Sequence, residues 1–233
     1  MAAGAWADDA GGPEAGYVRV FVWTGSDWNQ RGDDLDGSSS VGRFVALSFD
    51  GSVVACGADQ PSDVGSGYVQ MYRWNDSRWM QQGSTLSGLA SGDRFGESVS
   101  LSRDGTVVAV GAPDGNYVIV YRYDGTDWFP IGQTIHGAAA GDEFGSSLSL
   151  SADGGTIVIG GRRNGGPIRS FGHALVYSLS SNDDEWVRVG QELAGEVFDQ
   201  FGSSASISDD GSRIAIGAQP NGGRGYVQVF DLA

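Results

Sequence analysis

The stretch DRFGESVSLSRDGTVVAVGAP, residues 93–113, carries the pattern on which the rest of the chain is built. It opens with Phe-Gly, continues with Val and Leu alternating with Ser, turns at Asp104-Gly105 and ends in an apolar run. Alternation with a period of two is typical of a β-strand, and Asp-Gly between two such runs favours a hairpin turn. The stretch therefore predicts two antiparallel strands joined by a tight turn.

Similar stretches recur along the 233 residues. Trp residues at 28, 79, 128 and 186 are spaced by 51, 49 and 58 residues, and Phe residues at 44, 95, 144 and 201 by 51, 49 and 57. Because the two sets of anchors agree, the repeat is genuine. Each unit contains four strand-like segments and no helical period, which predicts an all-β fold: a β-propeller of four-stranded antiparallel blades.

The repeat also sets the expected domain organisation. We expect one propeller domain over residues 1–233 with about five blades, the first and last incomplete, at approximately 1–37, 42–88, 93–137, 142–195 and 199–233. Since a propeller removes exposed sheet edges by closing its ring, two partial blades indicate either a fragment of a longer protein or a poorly sealed five-bladed ring. The unit VGRFVALSFDG lacks Phe-Gly, so a shortened or bulged strand is expected near residues 44–49.

Composition limits the partners. The net charge is −15, with 29 acidic and 14 basic residues, and every basic residue is Arg. Such a surface repels nucleic acid and anionic lipid. No apolar run approaches the ~20 residues that span a bilayer, so no membrane insertion is expected, and the first residues lack the features of a secretory signal. Cys56 is the only cysteine, and we expect a buried, unreactive thiol.

Phe95-Gly96 and Gly111-Ala112-Pro113 make this stretch resemble an FG-GAP repeat, the unit of the integrin α-subunit propeller and of many extracellular proteins. The resemblance covers nearly the whole chain, although the other units end in GAD, GGR and GAQ. It implies an integrin α-like propeller, an extracellular or cell-surface location, and adhesion or protein recognition rather than catalysis.

Many members of that family bind Ca²⁺ in the loop between the first two strands. Here each such loop offers a Ser and either one Asp (Asp50, Asp104, Asp153) or the pair Asp209–Asp210, and an apolar residue replaces the acid expected after the Gly. Ca²⁺ requires six to eight oxygen ligands. We therefore expect hairpin turns without Ca²⁺ or any other cofactor. Among these weak candidates for a metal site, Asp209–Asp210 is the least unlikely.

The loop between the second and third segments varies most among the units. Its longest copy carries Arg162, Arg163, Asn164 and Arg169 on an otherwise acidic chain. Three arginines close together can bind a carboxylate or sulfate, but they can equally offset local negative charge. We take these residues as the candidate ligand surface.

The sequence thus predicts a non-enzymatic binding or adhesion propeller that recognises a protein or glycan through loops on one face. Two alternatives stay open. One is a propeller enzyme acting on carbohydrate, which would need two carboxylates held ~5 Å apart in a pocket. The other is a structural spacer domain of a larger surface protein.

Overall fold

Every regular element in the described part of the chain is a β-strand. The computed structural model describes residues 1–6, 16–37, 40–59, 65–163, 171–182, 185–220 and 223–232. Its 21 strands form five antiparallel sheets, numbered I to V in chain order. The prediction of an all-β fold of antiparallel sheets is confirmed.

The strands follow the chain order within each sheet. Sheet I contains β1 (Ala2–Ala5), β2 (Tyr17–Trp23), β3 (Trp28–Gln30) and β4 (Leu35–Asp36). Sheet II contains β5 (Phe44–Leu47), β6 (Val53–Ala58), β7 (Tyr68–Trp74), β8 (Trp79–Gln81) and β9 (Leu86–Ser87). Sheet III contains β10 (Ser98–Leu101), β11 (Val107–Ala112), β12 (Tyr117–Tyr123), β13 (Trp128–Pro130) and β14 (Ile135–His136). Sheet IV contains β15 (Phe144–Leu150), β16 (Thr156–Gly161), β17 (His173–Leu179) and β18 (Trp186–Ala194), and sheet V contains β19 (Ser204–Ile207), β20 (Arg213–Ala218) and β21 (Tyr226–Asp231).

The segment that begins with Trp is split in sheets I to III. In sheet III, for example, β13 and β14 both pair with β12. Gly132 lies between them at φ +65°, a conformation that residues with a Cβ rarely adopt. In sheet IV the segment is the continuous strand β18, and Gly190 accompanies a shift of register instead. A glycine at positive φ therefore accompanies both the break in the segment in sheet III and the register shift in sheet IV.

Apolar side chains fill the space between consecutive sheets. All residues of β6 and β11 are buried, so the second strand is covered on both faces in sheets II and III, and Cys56 in β6 is buried as expected. Between sheets II and III, Val69 and Met71 belong to the same cluster as Tyr117 and Tyr121. Each fully buried aliphatic or aromatic side chain of this size contributes about 1.5–3 kcal/mol.

Glycines set how closely the sheets approach one another. A Cβ added to Gly111 in β11 would lie 2.1 Å from the carbonyl oxygen of Gly145, the Phe-Gly glycine of the next sheet. The corresponding distances are 2.1 Å for Gly160 against Gly202 and 2.4 Å for Gly57 against Gly96. Any side chain at these positions would force the sheets apart, so the two glycines of the repeat pack on each other across every junction from sheet II to sheet V.

The irregular unit is regular in the structure, and the prediction of a shortened or bulged strand is wrong. Phe44 pairs with Gly57 as Ser98 pairs with Gly111, so Phe44 is not the counterpart of Phe95. Val41-Gly42 takes the place of Phe-Gly, with Val41 buried and Gly42 at φ +87°. The position requires a buried apolar side chain but not an aromatic one. Strand β5 is four residues long, and so is β10.

The Asp-Gly turns form a closed set of hydrogen bonds. The Oγ of Ser102 donates to Asp104 Oδ1 at 2.7 Å and accepts from the backbone N–H of Val107 at 2.9 Å. Asp104 Oδ1 also accepts from the N–H of Thr106 at 3.0 Å, and Gly105 has φ +70°. The same bonds recur at Asp50, Asp153 and Asp210. Hydrogen bonds from Ser208 and Ser212 lower the pKa of Asp210 to about 2.

Replacing the buried serine of this turn should destabilise the protein. Ser102→Ala leaves the buried N–H of Val107 without its acceptor, and an unsatisfied buried donor costs ~1–3 kcal/mol. Ser208→Ala is the matched control, because its turn is exposed and water can replace the lost bond. Urea unfolding should show the larger loss for Ser102→Ala, and equal losses would contradict this account of the turn.

Candidate functional site

The first strands of sheets II to V lie next to one another around an axial groove. Strands β5, β10, β15 and β19 are consecutive neighbours. The groove has a volume of about 400 Å³, and its walls come from all four strands or the residues just before them. Its lining includes Arg43, Val45, Glu97, Ser147 and Ser204. A single ligand in this groove could therefore contact four repeat units.

The residue before each Phe-Gly, or before its Val-Gly counterpart, has an unusual backbone conformation. Ser40, Arg94, Glu143 and Gln200 have φ values of +50°, +57°, +54° and +49°. A residue with a side chain held in this region costs of order 1–3 kcal/mol. The fold imposes this conformation once per unit, with a different polar side chain each time.

Eight charged residues surround one end of the groove, where second strands end and first strands begin. We call them the rim cluster: Arg43, Asp59, Arg94, Glu97, Asp114, Glu143, Arg162 and Arg163. Arg94 is central. Its Nη2 lies 3.0 Å from Asp59 Oδ2 and 2.8 Å from Glu97 Oε2. Arg43 Nη1 also lies 3.0 Å from Asp59 Oδ2.

Two of the predicted ligand-binding arginines belong to this cluster. Arg162 forms ion pairs with Glu143 and, at 3.4 Å, with Glu97 Oε1. Arg163 Nη1 lies 2.7 Å from Glu143 Oε1. Asn164 and Arg169 lie outside the described residues. Arg162 and Arg163 thus offset local negative charge, and they do so at the edge of the groove.

The most exposed members of the cluster are two arginines and one aspartate. The side chains of Asp59 and Glu97 are 0% and 4% exposed, and that of Glu143 is also buried. In contrast, Arg43 is 38% exposed, Asp114 is 42% exposed and Arg163 is 55% exposed. A ligand approaching the groove therefore meets guanidinium groups on a protein of net charge −15.

Burial changes the acid–base properties of the rim. It raises the pKa of the Glu97 carboxyl, although Arg94 and Arg162 oppose the shift. It also raises the pKa of Asp114, again against Arg94. The pKa of Arg94 is raised because Glu97 and Asp59 outweigh the effect of its own burial, so this guanidinium stays charged.

An exposed tryptophan stands beside the rim. Trp6 follows β1 and is 47% exposed, with Arg43 Cζ 5.4 Å from its ring centroid and 5.7 Å from that of Phe44. Ala5 pairs with Tyr17 as Ala58 pairs with Tyr68, so Trp6 occupies the position that Asp59 occupies in the next unit. Sequence analysis missed Trp6, Arg94 and Glu97. Comparing the residues at this one position across the units would have singled out Trp6.

The opposite end of the groove is crossed by backbone hydrogen bonds between the Asp-Gly turns. The N–H of Phe49 donates to Arg103 O at 3.0 Å, that of Arg103 to Ala152 O at 2.8 Å, and that of Ala152 to Asp209 O at 2.9 Å. Asp209 forms an ion pair with Arg103. Among the described residues, no group of three or more His, Cys, Asp and Glu side chains is placed to hold a metal ion.

Comparisons with known proteins identify the fold. No family model matches the sequence, and no curated protein matches it either. Among solved structures, the Dos1 propeller has a TM-score of 0.57 at 14% identity, over 94% of this chain and 47% of that one. A functionally unknown protein from Desulfotomaculum acetoxidans has a TM-score of 0.58 at 14% identity, over 92% and 63%. Hydrazine synthase from Kuenenia stuttgartiensis has a TM-score of 0.54 at 17% identity, over 81% and 45%.

The fold is a β-propeller. At these identities the similarity establishes the architecture alone, and the chain spans about half to two thirds of the length of these structures. Within the residues described, no helix has the length and apolar character needed to cross a membrane.

Removing the central arginine should destabilise the rim. Arg94→Met leaves Asp59 with Arg43 alone and Glu97 with Arg162 alone, so we expect the loss of a hydrogen bond between charged groups, ~1.5–3 kcal/mol, rather than the larger cost of a buried charge with no partner. Arg78→Met, in an exposed hairpin turn, is the control and should change stability little. Thermal unfolding measures both, and a loss below ~1 kcal/mol for Arg94→Met would mean that water already screens the cluster.

Proposed function

We propose that this chain is a binding module whose rim cluster and axial groove recognise an anionic glycan. In this proposal the five sheets are five blades built from FG-GAP-like repeats. Each blade except the first and last has four strands when the split segment that begins with Trp is counted as one strand. The observation that carries the proposal is the pairing of half-exposed arginines with an exposed tryptophan at the mouth of a groove shared by four sheets.

The chemistry of the rim fits a sugar acid or sulfated sugar. Arg43 and Arg163 can each donate two parallel N–H groups to a carboxylate or sulfate. Their buried partners, Asp59 and Glu143, hold the guanidinium groups in place, so little side-chain entropy is lost on binding. The indole of Trp6 offers a flat apolar face against which a sugar ring can stack.

The net charge of the whole protein limits the classes of anionic ligand that can bind. The net charge of −15 repels extended polyanions such as nucleic acid, whereas a short anionic group can contact the exposed guanidinium groups of Arg43 and Arg163 at the rim. We therefore extend the proposal to a short anionic glycan on a cell surface or in the extracellular space, with adhesion as the biological role. Binding should weaken as salt rises, because the contacts are partly exposed ion pairs.

Binding to defined oligosaccharides tests this function. Calorimetry or a glycan array should show binding to uronate-containing or sulfated oligosaccharides and none to neutral ones of the same length. Trp6→Ala should weaken that binding at least about tenfold, equivalent to about 1.4 kcal/mol. Trp23→Ala, at an equally exposed indole on another part of the surface, should leave it unchanged.

Two results would overturn the proposal. One is equal affinity for neutral and anionic oligosaccharides. The other is an affinity that is lost equally in Trp6→Ala and Trp23→Ala, which would place the contact away from the rim.

A second candidate is hydrolysis of a carbohydrate by the same cluster. Glu97 is buried with a raised pKa, as a general acid requires, and it shares the Nη2 of Arg94 with the carboxylate of Asp59. However, Asp59 is fully buried beneath Arg43 and Arg94, and this cover blocks its approach to a sugar carbon. We favour binding for that reason.

A panel of chromogenic glycosides and uronides separates the two candidates. The binding module should release no chromophore from any of them. Turnover that survives purification and disappears in Glu97→Gln, with folding retained, would establish the enzyme instead.

A further inference from the structure

The four junctions between consecutive sheets share one arrangement of side chains. The third strand of the earlier sheet contributes two alternate apolar side chains, and the third strand of the later sheet contributes aromatic ones. Between sheets I and II these are Val18 and Val20 against Tyr68 and Tyr72. Between sheets IV and V they are Ala174 and Val176 against Tyr226 and Phe230.

A tryptophan completes the first three junctions. The indole N–H groups of Trp79, Trp128 and Trp186 donate to backbone carbonyls of the preceding sheet, at Arg31, Gln82 and Ile131, over distances of 2.7, 2.8 and 2.9 Å. All three indoles are buried, with exposures of 9%, 5% and 2%. Burial of this indole is therefore the signature of a filled junction.

The outer face of sheet V carries the apolar side chains that the earlier sheet contributes to a junction; we call this face the earlier half of a junction. Val227 and Val229 lie at the positions of Ala174 and Val176 on the third strand. They are 66% and 59% exposed, whereas Ala174 and Val176 are almost fully buried. No described part of the chain covers these two valines.

The outer face of sheet I carries the aromatic side chains that the later sheet contributes to a junction; we call this face the later half of a junction. Tyr17 and Phe21 lie at the positions of Tyr68 and Tyr72, and Trp28 at the position of Trp79. Trp28 is 51% exposed, so the signature of a filled junction is absent here. Sheets I and V thus display two complementary half-junctions.

We propose that the outer face of sheet V docks on the outer face of sheet I of a second copy of this chain. The two faces repeat the chemistry of the four internal junctions, with Val227 and Val229 against Tyr17, Phe21 and Trp28. Such a contact is heterologous, so it closes into a ring or extends into a filament.

Charge does not prevent this contact. The sheet V face carries the Arg213–Asp231 ion pair, with Nε and Oδ1 2.7 Å apart, and the sheet I face carries the Arg19–Asp34 pair at 2.8 Å. Each face is therefore locally neutral even though each chain carries −15. The remaining repulsion between copies is long-range and is screened at moderate salt.

Site-directed crosslinking tests the pairing of the faces. Val229→Cys and Phe21→Cys are prepared as separate proteins, mixed, and treated with a short bismaleimide. Cys56 is fully buried and should not react. We expect a product of twice the chain mass from this mixture, and none when Thr126→Cys, in an exposed turn of sheet III, replaces Phe21→Cys.

Sedimentation equilibrium provides the second measurement. The unmodified chain should show a concentration-dependent mass above that of the monomer. Val227→Asp combined with Val229→Asp should abolish it, and Val187→Asp, at an exposed valine of β18, should not. Circular dichroism confirms that the variants remain folded.

Three results would overturn the proposal. The first is a monomeric mass at every soluble concentration. The second is crosslinking of equal yield to the control cysteine. The third is a chain carrying both Val229→Cys and Phe21→Cys that crosslinks within itself without a change of mass, which would show that one chain closes its own ring.

Discussion

The packing of one glycine on another fixes the distance between neighbouring sheets. The carbonyl oxygen of Gly145 packs so closely against Gly111 of the neighbouring sheet that no room remains for a Cβ. Because Gly145 has φ +92°, the chain can turn there so that Phe144 enters the apolar layer while the carbonyl faces the neighbouring sheet. The same contact recurs at Gly57 and Gly160, so the sheets stand in a regular series around one groove.

This contact also determines which residues reach the mouth of the groove. The residue before each Phe-Gly is forced into positive φ, and at Arg94 and Glu143 its side chain joins the rim. The residue after each second strand lies at the same end, as Asp59 and Arg162 do. A structural constraint shared by sheets II to V thus creates a row of equivalent positions, and each unit can fill its own with a different side chain.

Periodicity made the sheets predictable, and it also explains the errors. The alternation in residues 98–101, the apolar runs of β6 and β11 and the Asp-Gly turns depend on local patterns that are legible in the sequence. The register of β5 was misassigned because Phe44 was matched by residue type, whereas the fold selects for burial and Val41 meets that requirement. Among the site residues, Arg162 and Arg163 were selected because they depart from the repeat, but Glu143 lies 19 residues before Arg162 in the same unit, and Glu97 belongs to the preceding unit. Contacts between units separated by many residues depend on how the sheets stack, which no local pattern encodes.

The distribution of charge at the rim follows from that stacking. An isolated carboxylate as buried as Asp59 would be strongly unfavourable, and two arginines from different units, Arg43 and Arg94, offset the cost. The arginines in turn cannot leave without exposing an unpaired buried acid, so they are held at the surface in a fixed orientation. Fixed guanidinium groups lose less entropy on binding an anion than mobile ones do. The buried acids of the rim therefore hold two exposed guanidinium groups, those of Arg43 and Arg163, at the edge of the groove.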